Sequence, residues 1–247
     1  MYKTTKALVL REVRYKEADR ILTIFTESDG KLTAKARGAL RKSSRTAAAT
    51  QQLTYAELTL FGNLGRWTVN EAALIEPFAG LREDIEKFAL GCYVAECLDA
   101  FSVEEEPDAA LLQLGLNTLY ALSRDMYPQE HIKAAFELRL MCLSGYEPEL
   151  KACIRCGCEE PERPVFDIEG GGLSCRDCST AGLELCSDSL KALRYIATAP
   201  PKQLFSFRLE GAALERLSKA AERYLLKNAE RRFSTLDYWK SVRLPIV

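Results

Sequence analysis

Four cysteines are spaced to hold a metal ion: Cys153-Ile-Arg-Cys156 and Cys175-Arg-Asp-Cys178 form C-x2-C-x18-C-x2-C. Two residues between thiolates let a tight turn aim both sulfurs at one tetrahedral ion, and a second pair closes the site. Gly157 follows the first pair, where positive φ is easy, and Gly170-Gly171-Gly172 can make the turn that returns the second. Four cysteines leave no position for water, so the spacing predicts one structural zinc per chain. Free thiols are the plain alternative. A redox pair fits poorly, because neither CxxC follows a strand and opens a helix. Cys158 is the nearest substitute ligand for Cys156, and Cys186 is a more distant one. Cys92, Cys97 and Cys142 sit in apolar helical contexts and are expected in the core. Between the two pairs lie Glu159, Glu160, Glu162, Asp167 and Glu169 against the single base Arg163, so this knuckle is not expected to grip phosphate.

A second constellation is cationic. Residues 31–55 hold six basic side chains and no acidic one: Lys31, Lys35, Arg37, Arg41, Lys42 and Arg45. In a strand, Lys31, Thr33, Lys35 and Arg37 share one face while Leu32, Ala34, Ala36 and Gly38 share the other. The apolar face can pack into a barrel and the basic face can meet the phosphates of single-stranded nucleic acid. The Ser/Thr/Ala-rich stretch 39–50 is expected to be a flexible loop. Tyr15, Phe25, Tyr55, Phe61 and Trp67 lie in the same region. They could stack on bases, though each is more simply a large filler for a small barrel. Arg216, Lys219, Arg223, Lys227 and Arg231 form another stripe at helical spacing, part of which Glu215 could neutralise by pairing with Lys219. The run Glu104-Glu105-Glu106 reads as a solvated loop.

These residues need elements to position them. Residues 6–15, 20–26, 31–38, 53–61 and 66–75 read as strands, with Asp29-Gly30 as a hairpin signal and 62–65 as a turn. Five short strands joined by turns predict a small closed barrel. From residue 81 the apolar period becomes helical, over 81–101, 108–123, about 128–143, 188–197 and 211–232. Pro128 suits the first turn of the third helix and Gly145 its stop. The stripe Ile132, Phe136, Leu140 and Leu143 on that helix, beside Lys133 and Arg139, is a candidate pocket for an acidic, apolar-ended peptide.

Composition narrows the function classes. The chain has 247 residues, 47% hydrophobic and 28% charged, with net charge -1, which excludes a disordered or fibrous chain. The longest apolar stretch, 88–101, is broken by Glu96 and Asp99 and is too short to span a membrane. With no secretory signal at the N-terminus, a soluble, cytoplasmic protein is expected. A single histidine, His131, excludes mechanisms that need two imidazoles. Charge is segregated: +5 over residues 1–80, -9 over 81–150, -2 over 151–200 and +5 over 201–247.

The opening ALVLREVRYKEADRILTIFTESDGKLTAKARGALRKSSR resembles the bacterial DNA repair RecO family. The resemblance rests on Glu17, Asp19 and Arg20, the FT of the second strand, the Gly-Lys hairpin, and Arg37-Gly38-Ala39 before a basic loop. The order of barrel, helices, CxxC…CxxC and further helices extends it over the whole chain. Leu40 departs from the family pattern by interrupting the basic run after the Gly-Ala step.

The resemblance implies an α+β multidomain fold. An N-terminal five-stranded OB-fold barrel over 1–80 binds nucleic acid, and an α-helical domain over 81–247 carries an inserted four-cysteine zinc knuckle at about 151–186. It further implies a non-catalytic DNA-binding and strand-annealing factor in recombinational repair, nucleoid-associated during repair. Implied partners are single- and double-stranded DNA, RecR, the tail of single-strand-binding protein and, indirectly, RecA, which the family helps load on coated DNA. A zinc-containing nucleic-acid enzyme and an adaptor using its basic face on an acidic protein are the rival classes.

Overall fold

The structure is a computed structural model that describes residues 1–63, 65–179 and 181–243. Leu64, within the turn expected at 62–65, lies outside the described residues. The chain forms two compact units, residues 1–124 with 233–243 and residues 125–232.

The first unit begins with five strands: β1 (Tyr2–Tyr15), β2 (Asp19–Thr26), β3 (Gly30–Ala36), β4 (Tyr55–Asn63) and β5 (Arg66–Glu76). They close in the order β1-β2-β3-β5-β4, with β3 and β5 parallel and the other pairs antiparallel. This is the five-stranded OB-type barrel. Alternation fills the interior with Ala7, Val9, Leu22, Ile24, Leu32, Ala34, Ala36, Ala56, Leu58, Leu60 and Val69. Small and branched aliphatics make up most of the filling, Trp67 packs partly against them, and Phe25 is buried as expected, which leaves Tyr15 and Phe61 outside the core.

In β1 the alternation lapses: Ala7, Leu8, Val9 and Leu10 are all buried. One face of that stretch lines the barrel and the other is covered where α1 (Ile85–Phe101) packs on β1. A strand covered on both sides needs no polar face.

The helix expected from residue 81 starts later. Residues Ala79–Glu83 make a 3-10 turn, and Asp84 caps α1 by accepting from the Lys87 N–H at 3.0 Å. Helix α2 (Ala109–Ser123) is capped in the same way, by Asp108 on the Leu111 N–H at 2.8 Å. A helix the sequence reading did not separate, Ser234–Val242, packs on α1, with Phe233 edge-on to Tyr93 at 5.7 Å.

The second unit is built on α3 (Gln129–Leu143), α4 (Ser187–Thr198) and α5 (Gly211–Ala229). Pro128 precedes α3, and Gly145 at φ 85° follows it, as the sequence leads one to expect. Between α3 and α4 the chain forms a small antiparallel sheet, β7-β6-β8, from Pro164–Asp167 (β6), Gly172–Cys175 (β7) and Leu183–Glu184 (β8). Helix α5 stops at Glu230, whose φ of 51° ends the helical run three residues before Phe233. The following helix, Ser234–Val242, is α6. No helix among the described residues is long and apolar enough to cross a membrane.

Candidate functional site

Strand register assembles a groove on the barrel's outer surface. Tyr2 pairs with Phe61, Phe61 with Thr68, Thr68 with Lys35, Lys35 with Ile21 and Ile21 with Val13. These positions therefore run in one row across all five strands, at about 4.8 Å per strand. A cleft of about 610 Å³ opens along it, lined by Tyr15, Ile21, Thr33, Lys35, Arg37, Phe61, Arg66 and Trp67 among others. Tyr15 and Phe61 are 43% and 37% exposed, so their rings are available for stacking. Lys35 lies 4.9 Å from the Tyr15 ring centroid and Lys16 lies 5.6 Å from it. At the far side the Lys3 ammonium sits 4.0 Å from the Trp67 centroid.

Gly62 makes the Trp67 position feasible. The two residues are cross-strand partners, and a Cβ on Gly62 would come within 2.5 Å of the indole. Arg66, which lines the cleft, is missed by a reading that looks for runs of cations. Its signal is local: a basic residue between the Gly65 turn and Trp67.

The predicted basic residues divide in two. Arg37, Arg41, Lys42 and Arg45 are exposed. Lys31 is held at the other end of β3, 3.2 Å from the Asp99 carboxylate and donating to the Asp99 carbonyl at 2.7 Å. Lys35 pairs with Asp19 at 2.9 Å. That ion pair, with the Gly38 N–H donating at 2.8 Å, holds the Asp19 carboxyl below the usual range. Of the aromatics, Phe25 is fully buried and Tyr55 is tied to Glu27 through its hydroxyl, which leaves Tyr15, Phe61 and Trp67 at the cleft.

The stretch 39–50 is not a free loop but a chain of turns. The buried Arg20 guanidinium donates to the Ala47 carbonyl at 2.9 Å and to Thr50 Oγ1 at 3.1 Å, and the Leu40 N–H reaches the Ala18 carbonyl at 2.9 Å. Ala39, Ala49 and Thr50 are buried beneath it. The long side chain of Arg20 therefore fastens a stretch whose composition alone reads as mobile.

In the second unit the four cysteines come together. One sulfur from each of Cys153, Cys156, Cys175 and Cys178 lies within 4.8 Å of the others. Cys156 and Cys175 are 3.6 Å apart. A tetrahedral zinc with bonds of about 2.3 Å would separate its sulfurs by roughly 3.8 Å. Gly157 takes φ 76° and its N–H reaches the Cys153 carbonyl at 2.9 Å, closing the first knuckle. The β6–β7 hairpin turns through Gly170 and Gly171, the latter at φ 70°, and delivers Cys175 as its last strand residue. Gly172 admits no side chain, since a Cβ would lie 2.7 Å from the Glu149 carbonyl.

The thiols resist ionising together. Burial pushes the Cys153 thiol up, but the backbone N–H groups of Cys156, Cys175 and Arg155 outweigh it and bring it down to about 6. Cys178 is pushed up to about 11, first by its contact with Cys156 and then by burial. A dication resolves this crowding by holding all four as thiolates, so the donor set and its spacing fit a metal ion. Cys158 is exposed and outside the four-sulfur set, and Cys186 caps α4 on the Ser189 N–H. Cys97 is fully buried as expected, whereas Cys92 and Cys142 are half-buried at the margin of the core, where burial still raises both thiols to about 11.

The candidate peptide pocket on α3 does not survive. Ile132, Phe136 and Leu140 are fully buried, and Lys133 is 1% exposed between Glu137 at 2.9 Å and Glu222 at 2.8 Å. Arg139 is half-buried, donating to the Ala199 carbonyl at 2.5 Å. Helix α3 packs on α5 and α4, so these three positions of its apolar stripe are core, and only Leu143 at its end is exposed. His131 is stacked between Tyr127 and Phe207, with ring centroids at 5.1 and 3.8 Å.

Comparison with known proteins agrees with both halves of this geometry. Residues 1–78 match the family model described as Recombination protein O N terminal, and residues 82–237 match Recombination protein O C terminal. The chain is 35% identical to a DNA repair protein RecO of Acetivibrio thermocellus over 98% of this chain and 97% of the relative. A DNA repair protein RecO of Symbiobacterium thermophilum is 30% identical over 96% of each chain. One from Alkaliphilus metalliredigens is 29% identical over 96% of this chain and 98% of its own. With an OB-type barrel, a four-cysteine cluster and these matches along its length, the chain belongs to the RecO family of DNA repair proteins.

Proposed function

We propose that the chain is a non-catalytic DNA-binding and strand-annealing factor of recombinational repair, acting in the cytoplasm at the nucleoid. Residues 1–80 are its nucleic-acid-binding module, and residues 81–247 form a helical domain whose knuckle at about 151–186 holds one structural zinc. The observation that carries this reading is the barrel cleft, where exposed rings of Tyr15 and Phe61 stand beside Lys35, Arg37 and Arg66. Rings accept any base and cations accept any phosphate, so such a cleft suits single strands without sequence preference. By family membership its partners are single- and double-stranded DNA, RecR and the tail of single-strand-binding protein, and its outcome is RecA loading on coated DNA.

A catalytic role has little to work with. Four thiolates would saturate the metal, and the single imidazole is enclosed in an aromatic stack. Zinc is favoured over other ions because four thiolates in tetrahedral array are its preferred donors. Lys31, Lys35, Arg37, Arg41, Lys42 and Arg45 are the basic residues proposed to meet phosphate, with Lys31 and Lys35 first exchanging Asp99 and Asp19 for it.

The test is the salt dependence of single-strand binding. Each phosphate contact contributes roughly 0.7 to the log-log slope, so replacing Lys35, Arg37, Arg41 and Lys42 with Ala should flatten it by up to about 3. Annealing should slow in parallel. A quadruple variant that binds and anneals like the parent protein would refute the assignment.

A further inference from the structure

The strongest feature that this reading leaves unused is a row of cations on α5. Arg216, Lys219, Arg223 and Lys227 are all exposed and fall within an arc of about 80°, over about 16 Å of helix. Among the described residues none of the four makes an ion pair, and the pairing of Glu215 with Lys219 that the sequence allows is not formed. Elsewhere in the same unit Arg155, Arg163, Arg176, Lys191 and Arg194 each have a carboxylate partner within 3.5 Å. Lys151, Lys202 and Arg208 make no ion pair among the described residues but are scattered, so what sets the α5 cations apart is their alignment along one helix face.

Unpaired like charges three and four residues apart repel one another along a helix. The row therefore opposes the stability of α5, whose packing is supplied instead by Leu214, Leu217, Ala221, Tyr224 and Leu225 on the opposite face. A polyanion laid along it would remove that repulsion.

We propose that this face of α5 is a second DNA-binding surface, which grips the phosphodiester backbone of a further strand or of the annealed product. The row matches that ligand in length, since about 16 Å of duplex carries roughly five phosphates per strand. It matches in chemistry as well. No large apolar side chain of α5 is exposed, and the small hollow beside Arg223 and Lys227 is lined by Asp167 and Glu169 as well as Ile168, so its carboxylates disfavour seating the end of an acidic peptide there. Backbone contact of this kind leaves the bases free to pair. The barrel cleft, by contrast, presents rings that occupy bases. Annealing needs two strands at once, and the two surfaces divide that work. The proposal rests on the barrel reading only in taking nucleic acid as the ligand.

The experiment uses the full chain with R216A/K219A/R223A/K227A, all exposed positions where Ala favours helix. Binding of a 20-nucleotide single strand and of a 20-base-pair duplex is followed by fluorescence anisotropy against salt, and annealing by strand pairing. The duplex slope should flatten by up to about 3.6 and annealing should slow. Restoring charge with lysine at all four positions should rescue both. Parental slopes and annealing in the alanine variant would overturn the proposal, as would loss of binding to an acidic peptide with DNA binding intact. Acetylation of the parent protein provides a second readout that needs no variant: DNA should protect Lys219 and Lys227, and equal labelling with and without DNA would overturn it. Failure here is distinct from failure of the barrel reading, which shows as unchanged single-strand binding in the Lys35, Arg37, Arg41 and Lys42 variant.

Discussion

Two residues show how far burial decides a side chain's role. Lys133 reads as a surface cation beside an apolar stripe, yet it is 1% exposed between Glu137 and Glu222. Burial opposes its charge, but the two carboxylates outweigh that and hold its ammonium above the usual range. Removing the cation would strand two acids, so Lys133→Ala should destabilise the unit by about 3–5 kcal/mol in urea unfolding. Replacing Lys133, Glu137 and Glu222 together with apolar residues of similar size should cost much less.

His131 is the second case. Burial lowers its pKa, against the hydrogen bond to the Phe205 carbonyl at 3.1 Å, so the folded chain prefers the neutral ring. The unfolded chain then binds more protons below about pH 6.5, and stability falls as pH falls through that range, by at most about 1.4 kcal/mol per pH unit. His131→Phe should flatten that slope in melts between pH 7 and 5. An unchanged slope would assign the acid sensitivity to other groups.

At the scale of elements, the barrel and the knuckle are positioned by different means. The cleft depends on cross-strand register, which sets Phe61 beside Thr68 and Trp67 beside Gly62. Gly62→Ala should displace the indole, since its Cβ would lie 2.5 Å from the ring, and weaken single-strand binding without changing the salt slope. Stacking on one ring is worth about 1–3 kcal/mol, and Phe61→Ala should lose an amount in that range, again independently of salt. The knuckle brings together four cysteines positioned to bind a metal ion, on which its stability is expected to depend. Metal analysis of protein purified without chelator should find about one zinc per chain, and Cys175→Ser should abolish it. Such binding is worth about 10–16 kcal/mol in apparent terms, so chelation should expose the sheet β7-β6-β8 to proteolysis. A metal-free protein with that sheet equally protected would count against the assignment.

For the whole molecule, the two compact units make a separable prediction. The cleft belongs entirely to the first unit and the cysteines entirely to the second. Chelation should therefore leave short single-strand affinity close to that of the metal-bound protein, while circular dichroism reports loss of structure around residues 150–186. A joint collapse of both would mean that the units do not fold independently.

Much of this was legible in the amino-acid order alone, and the physical reasons are local. Two cysteines separated by two residues can aim both sulfurs at one point, and Gly157 with Gly170-Gly171 marks the turns that bring the pairs together. Strand alternation in 31–37 and the helical period after residue 81 depend only on neighbours a few positions away, so the barrel strands and five of the helices could be placed. Chain-distant partners decided the rest. Arg20 fastens the stretch 39–50 through Ala47 and Thr50, Asp99 takes Lys31, and Glu222 draws Lys133 into the core. The apolar stripe of α3 could equally have been surface groove or core, because periodicity states that a face is apolar and not what covers it. Register alone brought Arg66, Tyr15 and Phe61 to one cleft, from strands as much as 51 positions apart in sequence. Chemistry carried by spacing belongs to the sequence, and chemistry carried by juxtaposition exists only once the chain has closed on itself.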